Sequence, residues 1–199
     1  LPGVPGRLAK QIFVKGMPLM YNEILWAAGT AILNQCYSMR GLEAVAATNI
    51  SSTIFNVFNV VYMALGVAVG IVVGQKLGAG EMEEARETDT RMIVFAVLSC
   101  LGLGVLLFAT APLFPAIYNT MDEVRALATN LMRVSASFMP MYAFLHTCYY
   151  TLRSGGKTVI TFFFDSGFIW VCSMPLAFCL ARFTSVALVT MYALCQGIE

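Results

Sequence analysis

The sequence predicts an all-α membrane protein, a bundle of about six transmembrane helices. Long uncharged stretches carry the prediction. No Asp, Glu, Lys or Arg lies between Glu43 and Lys76, between Arg91 and Asp122, or between Arg133 and Arg153, although His146 falls inside the last. A bilayer core of about 30 Å takes roughly 20 apolar residues in a helix, and each stretch reaches that length. Composition agrees. Hydrophobic residues make up 59% of the 199-residue chain and charged residues 12%, against about 45–50% and 25% in soluble domains. The mean hydropathy is +0.76.

The elements follow in order. Residues 1–15 read as a linker. Leu1-Pro2-Gly3-Val4-Pro5-Gly6 is turn-rich and lacks the features of a signal peptide. Arg7, Lys10 and Lys15 then form a short basic lead. The first span is expected at about 16–38, with a tight turn at Met39-Arg40-Gly41. The second, about 43–75, is longer than one crossing needs, so it tilts or extends beyond the bilayer. A glycine-rich break at Gly78-Ala79-Gly80 precedes a charged stretch from Glu81 to Arg91, read as a short surface helix. The third span is expected at about 92–114, ending near Pro112 and Pro115. Thr120 or Asp122 offers a cap for the fourth, about 124–152, with a kink at Pro140. A turn at Arg153–Lys157 leads to the fifth, about 158–182, which contains Pro175. The sixth starts near Ser185 and is cut short at residue 199. Both ends read as internal to a longer chain.

Loop charges set the orientation. With the linker in the cytoplasm, that side collects Arg7, Lys10, Lys15, Lys76, Arg86, Arg91, Arg153 and Lys157, and the other holds Arg40, Arg125 and Arg182. The predicted location is the cell membrane, crossed several times.

Composition also excludes classes. No basic patch offers itself to a nucleic-acid backbone. The six cysteines form no Cys-x-x-Cys pair and the lone His has no His cluster around it, which argues against a metal site. Gly155-Gly156-Lys157-Thr158 looks like the end of a phosphate-binding loop, but its first glycine position is occupied by Thr151. No hydrolase or kinase signature occurs, so no enzyme and no cofactor are expected.

Two acids lie inside apolar stretches, where a carboxylate is costly and is usually kept for an ion pathway. Glu23 shares a helical face with Ala27, Thr30 and Asn34. That small, polar stripe would line a wet cavity, and its carboxylate would exchange a proton for Na⁺. The other reading is a residue near the membrane–water boundary, hydrated or paired with a basic linker residue. Asp165 follows Phe162-Phe163-Phe164, two turns beyond Lys157; it is either a second coupling acid or a headgroup-level residue. On the second span Asn49, Ser52, Asn56 and Asn59 recur every three or four residues. They face a cavity or hydrogen-bond to other helices. Gly66, Gly70 and Gly74 permit close helix approach, within the chain or between chains. His146, with Tyr142, Tyr149 and Tyr150 nearby, reads as hydrogen-bonded structure before it reads as a proton carrier.

Several segments resemble the multidrug and toxic compound extrusion (MATE) family. They are Asn22-Glu23-Ile24-Leu25-Trp26, Gly41-Leu42-Glu43-Ala44-Val45-Ala46-Ala47-Thr48-Asn49-Ile50, Gly74-Gln75-Lys76-Leu77-Gly78-Ala79-Gly80 and Leu152-Arg153-Ser154-Gly155-Gly156-Lys157-Thr158. The resemblance runs in order along essentially the whole chain. It implies one lobe of a twelve-helix transporter, with residues 16–199 as the C-terminal six-helix lobe and the N-terminal lobe as its partner. It further implies export of drugs or organic cations, cationic or amphipathic small molecules, in antiport with Na⁺ or H⁺. Glu23 matches the seventh-span Glu implicated in coupling in several branches of the family. The fourth span departs from the pattern, because the acid some branches carry in that span is absent here. A lobe of the same architecture that moves lipid-linked precursors is the alternative.

Overall fold

The computed structural model describes residues 6–184 and 186–198, and these are almost wholly helical. Helix α1 (Gly6–Ser38) is followed by α2 (Leu42–Ala79), α3 (Met82–Thr110), the short α4 (Leu113–Ile117) and α5 (Asp122–Ser154). A helix from Thr158 to Phe183 is then built from α6 (Thr158–Phe162), two π-helical turns at Phe163–Gly167 and Ile169–Ser173, and α7 (Met174–Phe183). Helix α8 (Leu188–Ile198) closes the chain. No strand occurs among the described residues.

Among the described residues, three helices are long and apolar enough to cross a bilayer: Leu42–Ala79, Met82–Thr110 and Thr158–Phe183. Helices α1 and α5, of 33 residues each, have the length but carry more polar residues. Helix α2, with 38 residues, reaches about 57 Å at 1.5 Å per residue, so it projects well beyond a 30 Å core, as its uncharged run implies.

Several boundaries differ from the sequence reading. The basic lead is no separate element: α1 runs from Gly6 through Pro18 to Ser38. The first five linker residues and Ser185 lie outside the described residues. The charged stretch 81–91 and the third span are one helix, α3, because nothing in Glu83–Arg91 breaks a helix and the acids Glu83 and Glu84 suit its first turn. The span ends at Thr110, and the chain folds past Pro112 into α4. Neither Thr120 nor Asp122 caps α5. Met121 occupies the cap position, while Asp122 pairs with Arg125 at 3.1 Å.

The α2–α3 turn follows from glycine. Gly80 sits at φ 83° and ends α2 with its N–H on the Leu77 carbonyl, and the Glu81 N–H reaches back to Lys76. A residue with a Cβ pays for that left-handed conformation; glycine does not.

Packing divides the bundle into two groups. Helices α2, α3 and α5 pack closely on one another, while α1 lies along the Thr158–Phe183 helix, and α8 packs on α5. Glycine sets the closest approaches. A Cβ on Gly66 would stand 2.7 Å from the Tyr150 ring, one on Gly70 3.3 Å from the same side chain, and one on Gly74 3.4 Å from Ser154. The glycine ladder therefore serves α2–α5 packing within the chain. Gly29 does the same for α1, where a Cβ would meet Ile169 at 2.6 Å.

One core joins the two groups. Leu33, Cys36 and Tyr37 of α1 meet Ala44, Ala47 and Ile50 of α2, Val124, Ala128 and Leu131 of α5, and Met191 and Cys195 of α8. Tyr37 stacks obliquely on Tyr192 at 5.5 Å between centroids, and the Tyr192 hydroxyl is 2.9 Å from Ser135 Oγ. Arg40, in the α1–α2 turn, donates to the carbonyls of Leu180 and Thr184 at 2.8 Å each and so closes the end of α7.

Candidate functional site

The strongest polar feature of the bundle joins α1, α5 and the π-helical turn. Asn22, on α1, is only 2% exposed. Its Nδ2 donates to Asp165 Oδ2 at 2.7 Å and to the Tyr149 hydroxyl at 3.2 Å. Its Oδ1 accepts from Ser166 Oγ at 2.6 Å, and the same hydroxyl lies 2.8 Å from the Asn22 carbonyl. Both amide protons and the amide oxygen are thus engaged, which fixes the amide orientation. Trp170 Nε1 donates to the Leu25 carbonyl at 3.0 Å, a second tie between the same two helices.

Asp165 and Ser166 lie in a widened part of their helix, upstream of Pro175. Pro175 has no N–H to give to the carbonyl of Val171, and the helix widens in the turns just before it. Each extra residue in a turn rotates those before it, and such widened turns recur at functional sites. Asp165 and Ser166 fall within the first of them.

Glu23 points away from Asn22, and its side chain is 63% exposed. Its carboxylate stands 3.7 Å from Arg153 Nη1, an ion contact too long for a hydrogen bond. Arg153 also lies over the rings of Tyr149 and Tyr150, at 6.0 and 5.9 Å from their centroids. Glu23 is therefore largely exposed, and its one ion contact is with the end of α5 and not with a linker residue. Ion pair and buried amide network adjoin through Asn22–Glu23 on α1 and Tyr149–Arg153 on α5. An apolar groove of about 370 Å³, lined by Pro18, Tyr21, Leu25, Val159 and Phe162, runs beside them.

The remaining sequence-derived residues stand apart from this network. Thr30 is half-buried, its hydroxyl bonded to the Trp26 carbonyl. Asn34, Asn49 and Asn56 are exposed, as are Ala27 and Ser52, so α1 and α2 each present a polar, outward face. Asn59 is half-buried, and its Oδ1 is enclosed without a hydrogen-bond partner among the described residues. His146 packs edge-on against Tyr62 at 4.9 Å between centroids, which places it in the aromatic packing of α2 and α5.

Asn22, Tyr149, Arg153 and Ser166 were not singled out by the sequence as site residues. The available signal was weak: Asn22 is a polar residue beside an intramembrane acid, and Arg153 opens a charged turn.

Long apolar helices, the absence of strands among the described residues and a buried polar network between helices define a multi-pass, all-α membrane protein. The family model MatE matches residues 18–179. The chain belongs to the MatE family. Multidrug and toxin extrusion protein 2 of Mus musculus is 30% identical over 125 residues, covering 61% of this chain and 22% of the mouse protein. A probable multidrug resistance protein NorM of Halalkalibacterium halodurans is 22% identical over 179 residues, covering 88% of this chain and 38% of its own length. The multidrug resistance protein MdtK of Edwardsiella ictaluri is 25% identical over 175 residues, with 86% and 38% covered. The chain thus spans about a fifth to two-fifths of the length of these relatives. No solved structure matches it significantly.

Proposed function

We propose that this chain is the C-terminal lobe of a multidrug exporter that moves organic cations or amphipathic drugs out of the cell in antiport with Na⁺ or H⁺. The relatives named for multidrug and toxin extrusion or multidrug resistance support the transport class. The observation that carries the coupling is the 2.7 Å Asn22–Asp165 hydrogen bond beside the Glu23–Arg153 contact. It gathers both acids that lie in apolar stretches and a cation near the middle of α1.

Glu23 is exposed within this lobe and shares its face with Ala27 and Asn34. In the whole transporter that face and the Asn49–Asn56 face of α2 would line the cleft opposite the N-terminal lobe. A cationic substrate there competes with Arg153 and with the coupling ion for Glu23. Asp165 takes the second coupling role, with Asn22 holding its carboxylate in place through one N–H. Rocking of the two lobes around this site would alternate its access.

The test uses the full-length protein in proteoliposomes. Efflux of a fluorescent organic cation is followed under separate Na⁺ and H⁺ gradients, for the wild type and Glu23→Gln. Gradient-driven efflux that collapses in the variant is the expected result. Efflux with unchanged ion dependence in Glu23→Gln would remove Glu23 from the coupling.

A further inference from the structure

We propose that Arg133 and the groove between α3 and α5 form a binding site for one anionic phospholipid, its phosphate on the guanidinium and an acyl chain in the groove. Arg133 opens the uncharged run of α5 that ends at Arg153 and is exposed on the outer surface of the bundle, with Asn130 and Ser137 on the same face. Its guanidinium sits 5.3 Å above the ring of Phe108, itself exposed on α3. Arg133 makes no ion pair among the described residues, whereas Arg91, Arg125 and Arg153 each face an acid. An arginine at a lipid-facing position needs an anion or must extend to the headgroups.

Its surroundings say which surface this is. Along α3 the exposed residues Val94, Phe95, Leu98, Leu101, Val105 and Phe108 form an apolar face that suits acyl chains, and Phe108 at its end is the one beside Arg133. That face of α3 contrasts with the asparagine faces of α1 and α2, while the α5 side of the groove is more polar, with Asn130 and Ser137 exposed beside Arg133. Phe108 lies two residues before the end of α3 at Thr110, only a few ångströms along the helix at 1.5 Å per residue. The guanidinium at its level is therefore within reach of a lipid phosphate at the α4 end of the bundle.

The groove continues from that point towards the bilayer centre. It has a volume of about 250 Å³ and is walled by Leu101, Val105 and Phe108 on one side and Ser137 and Pro140 on the other. Its floor exists because Gly104 lets α3 sit directly on α5, where a Cβ would come within 2.7 Å of the Ala136 carbonyl. A cation at the mouth and an apolar channel below it match a phospholipid with net negative charge, bidentate at the guanidinium.

The test is native mass spectrometry of the full-length protein offered equal phosphatidylglycerol and phosphatidylcholine. The wild type should retain one phosphatidylglycerol with a preference of about fivefold, the effect of one basic residue near an anionic surface. Arg133→Gln should bring the two lipids to parity, and Arg133→Lys, which keeps the charge and loses the two-pronged contact, should keep only part of the preference. Ala109→Phe, at an exposed position lining the groove, should reduce retention of both lipids with Arg133 intact. If Arg133→Gln fails to fold, the Ala109→Phe result carries the test. Equal retention of both lipids by the wild type, an undiminished preference in Arg133→Gln, or unchanged retention in Ala109→Phe would overturn the proposal.

Discussion

Asn22 and Asp165, 143 positions apart in sequence, are joined by a 2.7 Å hydrogen bond across the interface of α1 with the π-helical turn. Asn22 is also the residue on which Ser166 and Tyr149 converge. Asn22→Ala should therefore lower stability by about 1–3 kcal/mol, the cost of stranding buried polar groups. Thermal melting of the purified full-length protein checks this, with Ser52→Ala, at an exposed position, as a control expected to melt unchanged.

The glycines of α2 should divide by what stands opposite them. Gly66→Ala drives a methyl into the Tyr150 ring and should cost about 1–3 kcal/mol through overpacking. Gly78→Ala, with nothing within 4 Å and inside the same helix, should stabilise by about 0.5–1 kcal/mol. Melting temperatures that move in opposite directions would establish the α2–α5 contact.

Removal of the Arg40 guanidinium leaves the carbonyls of Leu180 and Thr184 without their donor. Arg40→Ala should cost about 1.5–3 kcal/mol per charged hydrogen bond, towards the lower end for the solvent-facing one. Hydrogen exchange should rise selectively at the end of α7, with partial protection restored in Arg40→Lys.

The bundle was legible where one helix carried the information. The uncharged run from Glu43 to Lys76 marked α2, and Gly78-Ala79-Gly80 marked its end, because length, hydropathy and a left-handed cap are local properties. The junction at 81–91 was misread because charge there reports the bilayer edge and leaves the backbone helical through Arg91. At the site, Glu23 and Asp165 stood out as charges in apolar stretches. Asn22 did not, since its importance comes from burial against a helix far along the chain. Asp165 and Ser166 meet α1 from a widened turn, and a 3.6-residue period does not reveal such turns.

The α2–α3 junction should respond to acid. Lys76 Nζ bonds Glu84 at 2.7 Å outside the apolar runs. The hydrogen bond from Lys76 lowers the Glu84 carboxyl below its ordinary value, and the same bond raises Lys76. A depressed carboxyl contributes its stabilisation above its unfolded value and loses it as pH falls through its folded value. Protection of the amides at residues 76–86, taken relative to the intrinsic exchange rate at each pH, should therefore fall as the pH drops below the carboxylate range, and Glu84→Gln should remove that pH dependence.

The most direct test of coupling is the ion flux that substrate drives through the full-length protein in proteoliposomes. Na⁺ and H⁺ movement on addition of an organic cation would be recorded for the wild type, Glu23→Gln, Asp165→Asn and Asn34→Ala. Coupling through the α1 network predicts loss of substrate-driven ion flux in the first two variants. Asn34→Ala should keep the flux and require more substrate. Wild-type ion flux in both Glu23→Gln and Asp165→Asn would contradict a coupling role for this site.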